Sequence, residues 1–398
     1  MLICFMALNA AQIQKFRNDT VGVQHVIHLN NAGAALPPDE VRDVVIHYLT
    51  EEAEIGGYEL SRKRSAQLAF TYEVLARLIN AKPNEIALVE NATVAWQAAF
   101  YSIDWKPGDE VICNQSDYAS NFLSYLHHPA KPRINVLPSD QHGDVDLRAL
   151  KRLLSEKTKL VSITHMPTNS GQLAPAEAIG QICKENNILY LLDACQTVGQ
   201  YPIDVPSLQC DLLSATGRKY LRGPRGTGFL FAREGVLPKL RPHVIDLHSA
   251  EWIGKSDYRI RQDARMFENW EGNRANQLGL ASAAAYALDI GMENIWERIK
   301  HLADYMRLSI KHLSHVTCHD VGSTLGGIIS FSVKGYSADE VMNILARQQI
   351  NVSWNGRSNT WLDMTEKGLD EIIRCSVHYY NTEDEIDRFV AALKDLVK

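Results

Sequence analysis

Residues 190–231 read YLLDACQTVGQYPIDVPSLQCDLLSATGRKYLRGPRGTGFLF, and this stretch decides the fold. In and beside it are three apolar runs of strand length, Ile188–Leu192, Leu212–Ala215 and Gly228–Phe231. These runs are apolar almost throughout rather than alternating with polar residues, which is typical of strands buried on both faces of a sheet. The stretch therefore predicts the interior strands of a sheet that has helices on both sides.

Four earlier segments have the same strand-like character: Glu85–Val89, Glu110–Cys113, Ile134–Leu137 and Leu160–Thr164. Helical patterns lie between the runs. In Ala176–Glu185, for example, apolar residues recur at helical spacing, and Pro175 just before it suits a helix start. Alternating strands and helices predict an α/β fold with parallel βαβ units. Ligands in such folds bind at the carboxyl ends of the strands.

The pattern changes after about residue 275, where helices and strands no longer alternate regularly. Helices are predicted over Asn276–Ile290, Ile295–Leu313, Ala338–Gln348 and from Thr382 onward, and strands over Ile328–Val333, Ile350–Trp354 and Ile372–Tyr379. Thr382 and Glu385 have the spacing of a capping box. We therefore expect a large domain over residues 28–275 and a small α+β domain over residues 276–398, joined by the N-terminal segment 1–27.

Composition excludes several classes of protein. The chain has 398 residues, 45% of them hydrophobic and 22% charged, which is ordinary for a globular enzyme and unlike a disordered chain. A net charge of −6 gives no reason to expect nucleic-acid binding. No uncharged apolar run reaches the roughly 20 residues that span a bilayer. The apolar start, Met1–Leu8, lacks the basic residue of a secretory signal, so we expect an ordinary N-terminal segment.

The seven cysteines are scattered, and none forms a C-x-x-C pair. This distribution predicts neither a metal site nor a disulfide framework. Unpaired cysteines fit a reducing compartment, so we expect a cytoplasmic protein.

The chemistry is carried by an acid and a lysine that follow neighbouring strands. Asp193 closes one apolar run, and Lys219 follows the next, 26 residues later. Pyridoxal phosphate needs this pair, because the lysine amine condenses with its aldehyde and the acid keeps its pyridine nitrogen protonated. A lone lysine is more often a solvated surface residue. Here Thr216 and Arg218 beside it suit a phosphate, and Gln196 can hydrogen-bond the ring oxygen.

These residues resemble the signature of the class V, fold-type I family of pyridoxal-phosphate enzymes. That family includes cysteine desulfurases, selenocysteine lyases, cysteine/cystine lyases and isopenicillin-N-epimerase-like proteins. The resemblance runs from HLNNAG at His28–Gly33 to HYYNT at His378–Thr382. It implies a large domain built on a mostly parallel seven-stranded sheet flanked by helices. It also implies a homodimer with sites at the subunit interface, pyridoxal 5'-phosphate as cofactor and an amino acid as substrate.

The resemblance assigns further cofactor contacts. Asn91-Ala92-Thr93 follows a strand and opens a helix, and in the family the amides of this turn hold the phosphate, so Ala92 and Thr93 inherit that role. Tyr118 occupies the position of the ring that stacks on the cofactor, where desulfurases have a histidine. A packed core tyrosine is the alternative. Thr168, preferred over Asn169, is expected to contact the ring oxygen.

Three more residues complete the expected site. Arg374 lies where the family binds the substrate α-carboxylate, for which a planar guanidinium is well suited, although a structural salt bridge is the alternative. Asn31 falls where the family lines the same pocket. Asn273, in Glu271-Gly272-Asn273, resembles the segment that reaches the other subunit's phosphate.

One departure from the family bears on the reaction. Desulfurases carry a nucleophilic cysteine on a loop of the small domain, and the corresponding loop here, Asn355–Trp361, reads NGRSNTW. Cys375 follows the carboxylate-binding arginine on a strand and is expected to be a buried structural thiol. Transfer of sulfur to the protein as a persulfide needs a thiolate that reaches the substrate. We therefore expect a C–S lyase that eliminates the β-substituent of a cysteine-derived amino acid, with Lys219 as the base and pyruvate and ammonia as products.

The alternatives are a class V aminotransferase or an amino-acid epimerase. In these enzymes the proton removed from Cα returns to the cofactor carbon or to the other face of Cα. A protein that binds the cofactor without turnover is a minor alternative. Substrate specificity is expected to depend on the loops His243–Arg261 and Asn355–Met364.

Overall fold

The structure is a computed structural model that describes residues 8–397. Most of the segment Met1–Leu8, expected to be an ordinary N-terminus, lies outside the described residues. The strands are β1 (Ile27–His28), β2 (Ile86–Val89), β3 (Glu110–Asn114), β4 (Arg133–Leu137), β5 (Thr158–Thr164), β6 (Leu189–Asp193), β7 (Leu212–Thr216), β8 (Gly228–Ala232), β9 (Ala250–Gly254), β10 (Asp257–Ile260), β11 (Val316–Cys318), β12 (Ile328–Val333), β13 (Ile350–Asn351), β14 (Ser353–Gly356) and β15 (Glu371–Ser376).

The helices surround these strands. They are α1 (Ala10–Asn18), α2 (Asp39–Ile55), α3 (Gly57–Lys63), α4 (Ser65–Leu78), α5 (Ala92–Tyr101), α6 (Ala119–His127), α7 (Leu147–Leu153), α8 (Ala176–Glu185), α9 (Val205–Leu208), α10 (Arg274–Ile290), α11 (Met292–Lys311), α12 (Ala338–Arg347), α13 (Trp361–Glu366) and α14 (Glu383–Lys394). Short 3-10 helices occupy Val21–Gln24, Pro83–Glu85, Glu234–Lys239, Ala264–Phe267, Arg357–Asn359 and Asp395–Val397.

The large sheet has seven strands in the order β2-β8-β7-β6-β5-β3-β4. Neighbours from β7 to β4 are parallel, while β8 runs antiparallel to both β7 and β2. All seven predicted strand-like runs are in this sheet, so the predicted α/β fold with a mostly parallel seven-stranded sheet is confirmed.

Both faces of this sheet are buried. Leu212 belongs to one hydrophobic cluster and its neighbour Leu213 to another, because successive side chains on a strand point to opposite faces. Leu191 and Leu192 divide in the same way. This arrangement explains why the strands are apolar throughout, and it directs their polar terminal residues to the edge of the sheet.

The C-terminal part forms an antiparallel sheet of four strands in the order β11-β12-β15-β14. The N-terminal segment joins it, since β1 pairs in parallel with β13 and Arg17 of α1 forms an ion pair of 2.8 Å with Glu385 of α14. The Thr382 capping box at the start of α14 is confirmed. These contacts support the expected grouping of residues 1–27 with residues 276–398, which stays a prediction.

Two strand predictions in the C-terminal part are wrong in detail. The run Ile350–Trp354 is split between β13 and β14, which pair with different partners. The run Ile372–Tyr379 ends as a strand at Ser376, because the Asn381 side chain accepts the His378 amide at 2.8 Å and turns the chain. The antiparallel hairpin β9–β10, within the loop His243–Arg261, was not predicted.

Two further findings concern metals and membranes. Within residues 8–397, no group of three or more His, Cys, Asp and Glu side chains is placed to hold a metal ion. In the same part of the chain, no helix combines the length and the apolar character required to cross a membrane.

Candidate active site

A cavity of about 480 Å³ lies at the carboxyl ends of the central strands. It collects most of the residues expected to hold the cofactor: Ala92, Thr93, Tyr118, Thr168, Asp193, Gln196, Thr216, Arg218 and Lys219. A more open cavity of about 900 Å³ lies between the loop 140–148, the start of α8 and Ser323. None of the residues predicted for the site lines that larger cavity, so the smaller one is the candidate active site.

Asp193 ends β6 and is 6% exposed. Its Oδ2 accepts a hydrogen bond from Asn121 Nδ2 at 2.9 Å, and its Oδ1 accepts one from the Cys195 amide at 3.0 Å. Burial raises the pKa of Asp193, while these hydrogen bonds and the charge of Lys219 oppose the rise. The carboxyl group is thus held in place at the cavity wall by donors on both oxygens.

Lys219 follows β7 and is 9% exposed. Among residues 8–397 it makes no ion pair with a carboxylate. Burial lowers its pKa; the Cys195 thiol opposes this, and the positive charges of Arg218 and Arg374 add to it. A lowered pKa increases the fraction of neutral amine, which is the nucleophilic and basic form.

The other end of the cavity is suited to an anion. Asn91 caps α5, with its Oδ1 accepting from the Val94 amide at 3.0 Å, and the amides of Ala92 and Thr93 at this helix start have no acceptor within the helix. The turn sits against β8 at Gly228. A Cβ atom there would lie 2.8 Å from the Asn91 carbonyl carbon and 2.6 Å from the Ala215 oxygen. Glycine therefore permits the close approach.

Thr216 and Arg218 lie on the same cavity, and each already has a backbone partner. The Thr216 hydroxyl donates to the Thr227 carbonyl at 3.2 Å, and the Arg218 guanidinium donates to the Gly33 carbonyl. Both side chains are fixed in place by these bonds and contribute polar groups to the wall.

The remaining wall carries an aromatic ring and amide or hydroxyl groups. Tyr118 precedes α6 and is 37% exposed. Gln196 donates to the Ala32 carbonyl at 3.3 Å, and its buried Oε1 has no partner. Thr168 faces the cavity, whereas Asn169 donates to Thr360 Oγ1 at 2.9 Å, away from it. This placement favours Thr168 over Asn169.

Arg374 on β15 stands beside Thr168. One terminal nitrogen donates to Thr168 Oγ1 at 2.8 Å and the other to Asn30 Oδ1 at 3.3 Å, and the buried Nε has no partner. The residue is 6% exposed, and burial lowers its pKa to about 10. No carboxylate among residues 8–397 pairs with it, so the salt-bridge alternative has no support. A buried guanidinium without a counter-charge is suited to bind an anionic ligand.

Besides Arg374, which reaches the cavity through Thr168, two predicted residues do not line its wall. Asn31 is fully buried, donates to the Ser376 carbonyl at 2.7 Å and accepts from the Tyr380 hydroxyl. Asn273 caps α10 by accepting the Asn276 amide at 2.8 Å, and it lines an adjoining groove. The expected roles of Asn31 at the substrate and of Asn273 across a dimer stay predictions.

The cavity also contains residues that the sequence did not single out. Asn121 and Cys195 contact Asp193, and Arg225 lines the wall from the Gly-rich turn after Lys219. The sequence signal that could have identified Cys195 as a site residue is its position between Asp193 and Gln196 in the chain. Asn30, one residue before Asn31, contacts Arg374.

The chain is similar to known proteins over most of its length. Residues 27–389 match the sequence model of the family described as aminotransferase class-V. A probable cysteine desulfurase from Synechocystis sp. is 28% identical over 395 residues, covering 96% of this chain and 93% of the relative. A second, from Methanothermobacter thermautotrophicus, is 26% identical and covers 96% of this chain and 97% of its own.

Solved structures share the fold. The apo cysteine desulfurase from Thermococcus onnurineus NA1 has a TM-score of 0.90 and 24% identity, covering 98% of this chain and 99% of that chain. A cystine C–S lyase in complex with its product cysteine persulfide has a TM-score of 0.85 and 22% identity, and the match covers 94% of this chain and 99% of that chain. With the match over residues 27–389, the chain belongs to the aminotransferase class-V family of pyridoxal-phosphate-dependent enzymes.

Proposed function

We propose that this protein is a pyridoxal-phosphate-dependent C–S lyase acting on a cysteine-derived amino acid. The observation that carries the proposal is the arrangement of Lys219, Asp193 and Arg374. Lys219 and Asp193 line one cavity, and Arg374 contacts Thr168 on the same wall. A buried amine, a buried acid and a buried unpaired guanidinium together suit an amino-acid substrate and this cofactor.

The residues present fit the cofactor. When bound, pyridoxal phosphate supplies an aldehyde for amines and a ring that accepts electrons. Asp193 would accept a hydrogen bond from the protonated pyridine nitrogen. Gln196 Nε2 uses one of its two hydrogens on the Ala32 carbonyl, so the other would be available to the ring oxygen. The amides of Ala92 and Thr93 would hold the phosphate.

Other wall residues would complete the cofactor site. Arg218 would add phosphate donors, because only one of its guanidinium nitrogens is bonded to the Gly33 carbonyl. Thr216 would donate to the phosphate once its single hydroxyl hydrogen turns away from the Thr227 carbonyl. Tyr118 would cover the ring, and Thr168 would contact the ring oxygen.

Arg374 and Lys219 would act on the substrate. Arg374 would bind the α-carboxylate with parallel hydrogen bonds. Lys219 Nζ would remove the proton from Cα, and the electron pair of the C–S bond would leave with the sulfur. Hydrolysis of what remains gives pyruvate and ammonia.

The positions of the cysteines support elimination rather than persulfide transfer. The loop Asn355–Trp361 contains no cysteine, and Cys375 is fully buried on β15. Among the cysteines within residues 8–397, Cys195 alone lines the cavity. Cys195→Ala therefore tests the distinction: a lyase keeps its pyruvate production, whereas an enzyme that uses this thiol to accept sulfur loses its turnover.

The main experiment measures pyruvate from purified holoenzyme incubated with cysteine, cystine and a cysteine S-conjugate sulfoxide. We expect pyruvate from at least one of them, and none from Lys219→Ala. Lys106→Ala is a matched control, because Lys106 is 64% exposed and remote from the cavity wall. Racemisation or amino transfer without pyruvate would identify the epimerase or aminotransferase alternative instead.

We also propose that the enzyme is a cytoplasmic homodimer. The described cysteines are all free, which suits a reducing compartment. Trp252 and Tyr258 on the β9–β10 hairpin are 73% and 57% exposed, and large exposed aromatic side chains are enriched at interfaces. Light scattering during size-exclusion chromatography tests the dimer, and a mass of one chain would refute it.

A further inference from the structure

Asp117 is a second buried carboxylate and lies near Asp193, the acid proposed to hold the cofactor nitrogen. It is 4% exposed and makes no ion pair within the described part of the chain. It accepts hydrogen bonds from Thr164 Oγ1 at 2.7 Å, Tyr125 Oη at 2.8 Å and the Tyr118 amide at 2.9 Å. A buried carboxylate is costly, and so many donors indicate that the fold keeps this one for a purpose.

Asn121 joins Asp117 to Asp193. Its Nδ2 donates to Asp117 Oδ1 at 3.0 Å and to Asp193 Oδ2 at 2.9 Å, so both amide hydrogens are used. Asn121 is 2% exposed and lies in the first turn of α6, four residues after Asp117. The Asp117 carboxylate thereby fixes the amide, and the amide fixes one oxygen of Asp193.

We propose that Asp117 and Asn121 are positioning residues, which hold the Asp193 carboxylate in the orientation that accepts the pyridine nitrogen of the cofactor. The inference rests on the proposed function of Asp193. Asp193 Oδ1 is already directed by the Cys195 amide, so the bond from Asn121 to Oδ2 determines the rotation of the carboxylate plane.

The same carboxylate also positions Tyr118. Because Asp117 Oδ1 accepts the Tyr118 amide, it fixes the backbone that carries the ring expected to cover the cofactor. One buried group thus organises both the residue expected at the pyridine nitrogen and the residue expected over the ring face. The electrostatics of Asp117 agree with this coupling. Burial raises the pKa of Asp117 to about 6, and the negative charge of Asp193 adds to the rise. Hydrogen bonds from Thr164, Tyr125 and Asn121 oppose it.

The test compares holoenzyme variants by NMR of the ring nitrogen in isotopically labelled cofactor, together with kcat and KM. Asn121→Ala should shift the ring-nitrogen signal toward the unprotonated form. It should also lower kcat about tenfold or more with little change in KM, because a hydrogen bond to a charged group is lost. Ser120→Ala, on the same helical turn but off the cavity wall, is the matched control.

Asn121→Leu, which keeps a similar size but removes the donor hydrogens, covers the case in which Asn121→Ala does not fold. Unchanged ring-nitrogen signals in both Asn121 variants would overturn the inference, as would a change in stability alone. Asp193→Asn distinguishes the two proposals. If it leaves the ring-nitrogen signal unchanged, the role of Asp193 itself is wrong; if it shifts the signal while the Asn121 variants do not, only the positioning role fails.

Discussion

Arg374 and Thr168 join the four-stranded sheet to the loop after β5 of the seven-stranded sheet through a hydrogen bond of 2.8 Å between a guanidinium nitrogen and Thr168 Oγ1. Arg374 is on the C-terminal antiparallel sheet, whereas Thr168 follows β5 of the large sheet. The proposed substrate-binding group and the candidate cofactor cavity are therefore linked directly, and a carboxylate bound by Arg374 would lie beside the proposed cofactor position.

The first prediction concerns Arg374. Arg374→Ala should raise KM for the amino acid about 100-fold, because two charge-assisted hydrogen bonds to the α-carboxylate are lost. Cofactor affinity should change little. Steady-state kinetics and cofactor titration measure the two effects, with Arg347→Ala, at the exposed end of α12, as control. An unchanged KM would show that Arg374 does not bind the substrate.

The second prediction concerns the stability cost of burying Lys219, the proposed catalytic lysine. The pKa of Lys219 is lowered in the folded protein, so the unfolded chain binds more protons and stability rises as pH increases toward 10.5. Lys219→Met removes this penalty and should stabilise the cofactor-free protein by about 1 kcal/mol near neutral pH. Urea unfolding between neutral pH and about pH 10 measures the free energy of unfolding of both proteins. In Lys219→Met this free energy should lack the rise that Lys219 causes. A less stable Lys219→Met protein would contradict the prediction.

The residues around Lys219 also show how much the sequence could predict. Asp193 and Lys219 could be placed at one edge of the sheet because β6 and β7 are buried, apolar and adjacent. The hydrogen bond between Asn121 and Asp193 could not be predicted from the sequence, because it joins residues 72 positions apart. It depends on β5 lying between β3 and β6, and strand order is not encoded in local pattern.

The failed strand predictions have different causes. The β9–β10 hairpin is exposed, so it lacks the buried apolar run by which the other strands were recognised. The division at Val352 depends on β1, a two-residue strand from the far end of the chain that pairs with β13. The role of Asn31 at the substrate stays a prediction, and its amide already bonds the Ser376 carbonyl and the Tyr380 hydroxyl.

The third prediction concerns pH and Asp117. Its folded pKa of about 6 exceeds the ordinary value of 3.8, so the folded protein holds this proton more tightly than the unfolded chain. That contribution to stability is present below about pH 4 and is lost as pH rises through about 6. The titratable groups that interact electrostatically with Asp117 include Asp193, Cys113 and Tyr125.

Asp117→Asn removes this titration. Over the window from about pH 4 to 6, the free energy of unfolding of the natural protein should fall relative to that of Asp117→Asn as pH rises. Urea unfolding at several pH values provides the comparison. Parallel stability profiles for the two proteins would mean that Asp117 does not titrate in this range.

The fourth prediction concerns Gly228, which lets the Asn91–Ala92 turn approach β8. A methyl group there would lie 2.6 Å from the Ala215 oxygen and within 3 Å of the Asn91 backbone, and backbone atoms on both sides leave it no room. Gly228→Ala should therefore displace the turn and weaken cofactor binding about tenfold or more, with a loss of about 1–3 kcal/mol in stability. Gly235→Ala is the matched control, because a methyl group there meets no atom within 4 Å. Cofactor titration followed by thermal unfolding separates the two effects. A Gly228→Ala protein that binds the cofactor as tightly as Gly235→Ala would show that the amides of Ala92 and Thr93 do not hold the phosphate.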